Sequence, residues 1–209
     1  MSSRPVHVLE KICKLVPGVQ LLPPAEASEI AKLETAFGHE ISGQLKDAYA
    51  LYNGEDLKCS SAGVFFGLGW LSVGGVIDQI ESWSQTRAEV GSQLDEYNTS
   101  SPVGAIRSVY SHEGWLPFAQ DWGGNFLAID MAPGPAGVAG QIINMGRDEE
   151  RKFVLARSFE AFIEWIDKAI AARQYKIEDG AFEYAGSDHF IDTARSLVEQ
   201  GVLPGLGAK

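Results

Sequence analysis

The sequence predicts an α+β domain with a largely antiparallel sheet. Residues 8–52 carry apolar side chains at helical spacing, and residues 106–157 carry five short apolar runs separated by turn residues. Helical spacing returns after residue 157. Helices followed by consecutive strands are typical of α+β folds rather than of alternating parallel-sheet folds. At 209 residues the chain can form one sizeable core, or at most two small ones.

Four helices are predicted before the strands. The first ends at the Pro-Gly pair at 17–18, the second at Gly38 and the third at the Asn-Gly pair at 53–54. A fourth is indicated by the apolar spacing over 76–83. Glycine and proline end these segments because neither continues a helix well.

The middle of the chain reads as strands and loops. Residues 63–75, GVFFGLGWLSVGG, are β-like but split by glycine, and the polar stretch 91–104 is predicted to be an exposed loop. The five strand predictions that follow are IRSVYS, WLPFAQD, NFLAIDM, AGQIINM and KFVLARS.

The last quarter begins with a helix that Ser158 caps, because a serine hydroxyl accepts a hydrogen bond from a free N–H of the first turn. A short strand, FEYAG, a helix around 189–201 and a loose tail at 202–209 are predicted to follow.

Charge excludes some classes of partner. The net charge is −11, which repels nucleic acid and anionic membrane surfaces and favours a basic protein partner. The alternative interpretation is that the acidic charge only keeps the protein soluble. The beginning of the chain lacks the uninterrupted apolar stretch of a signal peptide, and no run approaches 18 apolar residues. We therefore expect a cytoplasmic protein without membrane contact.

Motifs for catalysis are not found. The glycine patterns lack the third glycine of a dinucleotide fingerprint and the Gly-Lys-Ser/Thr ending of a phosphate loop, and the histidines show no ligand spacing. Asp121, Asp130 and Asp148 match no calcium loop. An enzyme using Asp121, Asn125 and Asp130 is the weakest alternative. The sequence thus predicts a protein without catalytic residues, cofactor or metal.

Residues 121–141, DWGGNFLAIDMAPGPAGVAGQ, read as scaffold. Gly123 and Gly124 allow positive φ or close backbone approach, and the run after Asn125 carries apolar residues on both faces, as a central strand does. The Pro-Gly segment then turns the chain, and Asp130 is expected to hold that turn in place.

Residues 115–166 resemble the signature half of the SMI1/KNR4 family, also called the SUKH superfamily. The shared pattern is a Pro-Phe strand, Asp-x-Gly-Gly-Asn, an apolar strand ending in Asp, a Pro-Gly-Pro turn, Gly-Gln-Ile-Ile and Ser-Phe-x-x-Phe. The resemblance covers about residues 22–170, and it leaves 1–21 as a helical N-terminal extension and 171–209 as a C-terminal one. It implies structural roles for Pro117, Gly123, Gly124, Asn125, Asp130, Pro133, Gly134, Gly140, Ser158 and Phe159.

The resemblance implies a binding protein rather than an enzyme. Many bacterial members of the family are immunity proteins, and we expect this chain to bind and neutralise a basic, nuclease-like toxin. Fungal members are scaffolds, so a scaffold or regulatory module linked to cell-wall synthesis or signalling is the alternative. The residues expected to contact a partner are loop acids and one tryptophan: Asp56, Asp121, Trp122, Asp148, Glu149 and Glu150.

Overall fold

The computed structural model describes residues 4–59, 62–203 and 205, and in these ranges it shows the predicted α+β architecture. A mainly antiparallel sheet of six strands is packed between helices, and a separate two-stranded hairpin follows. Within the same ranges no helix is both long and apolar enough to cross a bilayer.

The helices begin and end close to the predicted positions. Gly38 closes the second in the left-handed conformation, with φ of 76°. Serine side chains cap three others by accepting a first-turn N–H, among them Ser158, which accepts from the Ala161 N–H. The helices are α1 (Arg4–Leu15), α2 (Ala27–Phe37), α3 (Gly43–Leu51), α4 (Val73–Val90), α5 (Phe159–Ala171) and α6 (Phe190–Glu199).

Four consecutive strands form the centre of the sheet, each antiparallel to the next. The strand order is β1-β3-β4-β5-β6-β2, with β2 parallel to β6 at one edge. The strands are β1 (Gly69–Trp70), β2 (Thr99–Ser101), β3 (Trp115–Gln120), β4 (Asn125–Asp130), β5 (Gln141–Gly146) and β6 (Arg151–Ala156), followed by the hairpin β7 (Tyr175–Glu178) and β8 (Ala181–Tyr184).

The central strand β4 is buried along its whole length, as its two apolar faces predict. Neighbouring residues of a strand point to opposite faces, so β4 serves two packing layers. Phe126 meets Trp83 of α4 with ring centroids 6.2 Å apart. On the α5 side, Phe118 of β3 meets Phe159 at 5.6 Å. The sheet is thus held between α4 on one side and α5 on the other.

Three sequence predictions about the middle of the chain are wrong. Residues 106–111 form no strand; Ala105 and Ile106 are buried in a loop that follows β2. The β-like stretch 63–75 yields only the two-residue β1, because Gly63, Phe66 and Gly67 turn the chain with positive φ before it and α4 begins at Val73 after it. The polar stretch 91–104 contains β2, whose partner β6 lies some fifty residues away and gives no local signal.

The ends of the chain pack on the domain where they are described. Val8, Leu9 and Ile12 of α1 and Ile191 of α6 belong to the same core cluster as the sheet. Leu203, within the tail that was predicted to be loose, is 1% exposed. Residue 204 and residues 206–209 of that tail lie outside the described residues, as do residues 1–3 of the N-terminal extension.

Candidate functional site

Two turns meet at one end of the sheet. The β3–β4 turn and the β5–β6 turn are joined by two hydrogen bonds, from the Arg147 N–H to the Gly124 carbonyl at 3.1 Å and from the Asp148 N–H to Asn125 Oδ1 at 3.1 Å. We call residues 121–125 and 147–150 the turn surface. It contains five of the six residues that the sequence nominated for partner binding, and Asp56 lies outside it.

Asp121 organises the first turn from within. Its carboxylate accepts hydrogen bonds from the Gly123 N–H at 2.7 Å, the Asn125 N–H at 2.9 Å and Asn125 Nδ2 at 2.9 Å. Burial opposes ionisation, but these bonds and one from His189 outweigh it and hold the pKa of Asp121 well below its ordinary value. Its side chain is 6% exposed. Asp121, which is expected to contact a partner as a loop acid, is therefore largely buried and does not present its carboxylate at the surface.

Trp122 is the aromatic residue at the tip of this turn. Its φ is +61°. The residue is 47% exposed, so Trp122 is neither a core residue nor a fully solvated one. One edge of the ring is supported: a Cβ added at Gly69 would lie 3.0 Å from Trp122 Cζ2 and 2.6 Å from Leu57 Cδ2. The absent side chain at Gly69 makes room for the indole. Because Leu57 and Trp122 both lie beside Gly69, the 55–59 loop borders Trp122. Asp56 in this loop is half-buried.

The acids of the second turn divide between solvent and interior. Asp148 and Glu150 are exposed, and Asp148 pairs with the equally exposed Arg147 at 3.2 Å. Glu149 is 4% exposed, and its Oε2 accepts hydrogen bonds from Asn144 Nδ2 and from Arg195 Nη2. Burial raises the pKa of Glu149. Glu149, which is expected to contact a partner as a loop acid, is instead buried and accepts hydrogen bonds from groups beneath the turn.

Helix α6 and the residue that precedes it, His189, supply the contacts that sequence reasoning missed. His189 Nε2 lies 3.2 Å from Asp121 Oδ2, and this hydrogen bond raises the pKa of His189. Arg195 Nη2 lies 2.9 Å from Glu149 Oε2. Both contacts span more than forty residues, and neither has a signal in the local sequence. They attach α6 to both turns of the turn surface.

Lys152 lies beneath the second turn and is 1% exposed. Its Nζ donates hydrogen bonds to Asn98 Oδ1 at 2.5 Å and to the Glu149 carbonyl at 2.8 Å, and it sits 5.6 Å from the centre of the Trp115 ring. Burial lowers the pKa of Lys152 to about 8. The sequence placed this residue in a strand and gave no indication of a buried ammonium.

Asp130 lies at the other end of β4 and belongs to a different network. It is completely buried; Oδ1 accepts from the Ala132 N–H at 2.9 Å and Oδ2 from Gln141 Nε2 at 2.8 Å. Gln141 also donates to the Ala105 carbonyl at 2.9 Å and accepts from the Val138 N–H at 3.1 Å. These bonds hold the Pro-Gly turn against the loop after β2.

The remaining motif residues of this end are positioned by close backbone contacts. A Cβ added at Gly134 would lie 2.2 Å from the Gly104 carbonyl oxygen, so only glycine fits there. Pro133 packs its Cβ towards Gly137, and Gly140 has φ of +87°. Pro117 lies in β3 where the register shifts against β4.

The distance between the two ends of β4 argues against the enzyme alternative. Asp130 lies five positions after Asn125 in β4, about 17 Å away at the ordinary rise of a strand. Asp121 and Asn125 therefore cannot act together with Asp130 on one small substrate. Among the described residues there is no group of three or more His, Cys, Asp or Glu side chains placed to hold a metal ion.

Comparison with known proteins places this arrangement in a family. The model of the SMI1 / KNR4 family (SUKH-1) matches residues 24–165, which include all six strands of the central sheet and both turns of the turn surface. The matched range ends within α5, so α6 and the hairpin lie outside it.

Similar curated proteins are fungal. The "Cell wall biosynthesis/cell cycle regulator smi1" of Schizosaccharomyces pombe is 34% identical over 170 residues, covering 77% of this chain and 32% of the relative. The "Cell wall assembly regulator SMI1" of Saccharomyces cerevisiae is 25% identical over 203 residues, covering 82% and 40%. The "Glucan synthesis regulatory protein" of Neurospora crassa is 42% identical over 84 residues, covering 40% and 16%.

These names correct the expectation of a toxin-neutralising immunity protein, which is wrong. All three relatives are named as regulators of wall or glucan synthesis or of wall assembly, and this agrees with the alternative reading. The chain spans about a third of the length of the S. pombe relative.

Proposed function

We propose that this chain, which belongs to the SMI1/KNR4 family, is a protein-binding module that regulates cell-wall synthesis and has no catalytic activity of its own. The names of the fungal relatives support the regulatory role. The polar atoms of the Asp121 and Asn125 side chains are engaged in structural hydrogen bonds that hold the two turns, and this supports the absence of catalysis.

The observation that carries the proposal is the conformation of Trp122. A bulky residue in the left-handed region costs on the order of 1–3 kcal/mol, and such residues persist only where the surrounding structure fixes them. The hydrogen bonds of Asp121 fix this turn, and as a result Trp122 is 47% exposed at the end of the sheet. Tryptophan is enriched among the residues that dominate binding energy at protein interfaces.

The charges around Trp122 define the chemistry of its partner. Asp148 and Glu150 are exposed on the adjacent turn, Asp56 is half-buried in the bordering loop, and the net charge is −11. The only exposed base of the turn surface, Arg147, is already paired with Asp148 at 3.2 Å. A partner that offers a pocket for an indole rimmed by lysine or arginine fits this surface, and its association should weaken with salt.

The test is affinity capture of the tagged chain from its own cells at low and moderate salt, comparing the wild type with two variants. Trp122→Asn removes the indole and tolerates positive φ, because asparagine adopts the left-handed conformation readily. Val138→Asn is the matched control: Val138 is 39% exposed and lies in the turn after β4, at the other end of the sheet.

We expect the wild type and Val138→Asn to retain proteins of wall synthesis or its regulation, and Trp122→Asn to lose them. Retention of the same proteins by Trp122→Asn, with its melting temperature unchanged, would exclude this surface. Capture of proteins unrelated to the wall by the wild type and both variants would exclude the regulatory role.

A further inference from the structure

A cleft lies at the end of the sheet opposite the turn surface. It has a volume of about 520 Å³, within the range of about 300–1,000 Å³ that is common for ligand sites. It opens between the α2–α3 corner, the ends of β3 and β4, and the start of α5. Its apolar walls are Phe37, Ile41, Leu116, Ile129, Met131 and Phe159.

The charges at this cleft are of one sign. Among the described residues that line it, Glu40 and Glu160 are the charged ones, and both are exposed. No lysine or arginine of the described chain lies within ion-pair distance of either carboxylate. Glu160 accepts only a neutral donor, Gln44 Nε2, at 3.2 Å. Lys46, the neighbouring base, is engaged by Glu34 at 2.7 Å.

Backbone donors are also available at the cleft. Helices α3 and α5 both begin there, and the first N–H groups of a helix have no partner within it. Ser42 and Ser158 each satisfy one N–H further along the first turn, at Leu45 and Ala161. The carbonyl groups of an extended peptide could accept hydrogen bonds from the remaining first-turn N–H groups. A free anion would instead be repelled by the carboxylates of Glu40 and Glu160.

We propose that this cleft binds a short extended segment of a partner protein, with an aliphatic side chain on the apolar walls and a lysine or arginine beside Glu40 and Glu160. The cleft offers the three groups that peptide grooves combine: an apolar floor, polar backbone groups and a charged rim. It is separate from the turn surface, so one chain can hold two protein segments at opposite ends of the sheet.

Gly43 provides a direct way to close the cleft. It lines the cleft, and a Cβ added there meets no atom within 4 Å. A side chain can therefore start at Gly43 without a clash at its Cβ. We expect the ring of Gly43→Phe to obstruct the cleft and the methyl group of Gly43→Ala to leave it open. Glu40→Lys combined with Glu160→Lys reverses the rim at two exposed positions and tests the charge without filling the space.

The experiment is selection of a random heptapeptide library displayed on phage against the full-length wild type, followed by fluorescence anisotropy with the labelled selected peptide. We expect peptides that pair an aliphatic residue with lysine or arginine, bound by Gly43→Ala with unchanged affinity. Gly43→Phe should lose binding, and the double charge reversal should weaken it at least about tenfold, which is about 1.4 kcal/mol.

Several results would overturn the inference: no enriched peptide, enrichment of acidic peptides, or undiminished binding to Gly43→Phe or to the double reversal. Backbone amide spectra of each variant establish that it is folded. Trp122→Asn should bind the selected peptide like the wild type, because the two surfaces lie at opposite ends of the sheet. If the peptide test at the cleft fails, the proposed function at Trp122 therefore still stands. If the Trp122 test fails, the peptide proposal for the cleft still stands.

Discussion

The buried ammonium of Lys152 makes stability depend on pH in a direction opposite to most surface lysines. Its pKa is lowered to about 8 in the folded protein, whereas an unfolded lysine titrates near a pKa of about 10.4. Between these values the unfolded chain holds a proton that the folded chain has released. The free energy of unfolding therefore rises with pH across this window, by about 3 kcal/mol from this group.

Lys152→Met removes this titration. Its effect on absolute stability combines relief from a buried charge with the loss of bonds to Asn98 and to the Glu149 carbonyl, so the informative quantity is the difference in pH dependence. Urea unfolding followed by tryptophan fluorescence between about pH 7 and pH 10.5 measures it. The difference between wild type and Lys152→Met should grow in favour of the wild type by about 3 kcal/mol.

Lys32→Met, at an exposed position of α2, is the matched control and should follow the wild type. The comparison of variants also cancels the titration of other groups, among them the fully buried Tyr49, whose pKa is raised by burial. Parallel curves for wild type and Lys152→Met would show that the ammonium is hydrated and that burial does not control its pKa.

Three further predictions concern the framework of the domain. Gly134→Ala should destabilise by more than about 2 kcal/mol in urea unfolding, since its Cβ would overlap the Gly104 carbonyl; an unchanged midpoint would contradict this close approach. Ser158→Ala should cost about 1 kcal/mol through the lost cap of α5, and Ser158→Asp should restore it. Because Asp121 raises the pKa of His189, the stabilisation by this pair is complete below about pH 6.5 and is lost as pH rises through the folded pKa. His189→Gln should therefore lower the melting temperature more at pH 5.5 than at pH 8.5, and an equal loss at both would refute the pairing.

The elements with strong local signals could be predicted from the sequence. Periodic apolar residues and end signals such as Gly38 and Ser158 locate the helices, and the two-faced apolar run of β4 identifies the central strand. These features are encoded within a few residues of where they act.

What could not be predicted depends on contacts between distant segments. The polar strand β2 forms because β6 offers it a partner, whereas the more apolar residues 106–111 form no strand. The side chain of Glu149 points into the protein because Arg195 and Asn144 donate hydrogen bonds to its carboxylate there. Charge and turn composition identify acids near a surface, but they do not show which ones point into the protein.

The most direct test of the central claim is the affinity of the captured wall-regulatory partner for the purified chain. With the partner in hand, isothermal titration calorimetry compares the wild type, Trp122→Asn and Val138→Asn. A tryptophan that dominates an interface contributes at least about 2 kcal/mol, so Trp122→Asn should bind about thirtyfold more weakly or worse, and Val138→Asn should match the wild type. Equal affinities for the wild type and both variants would contradict the assignment of the binding surface to Trp122.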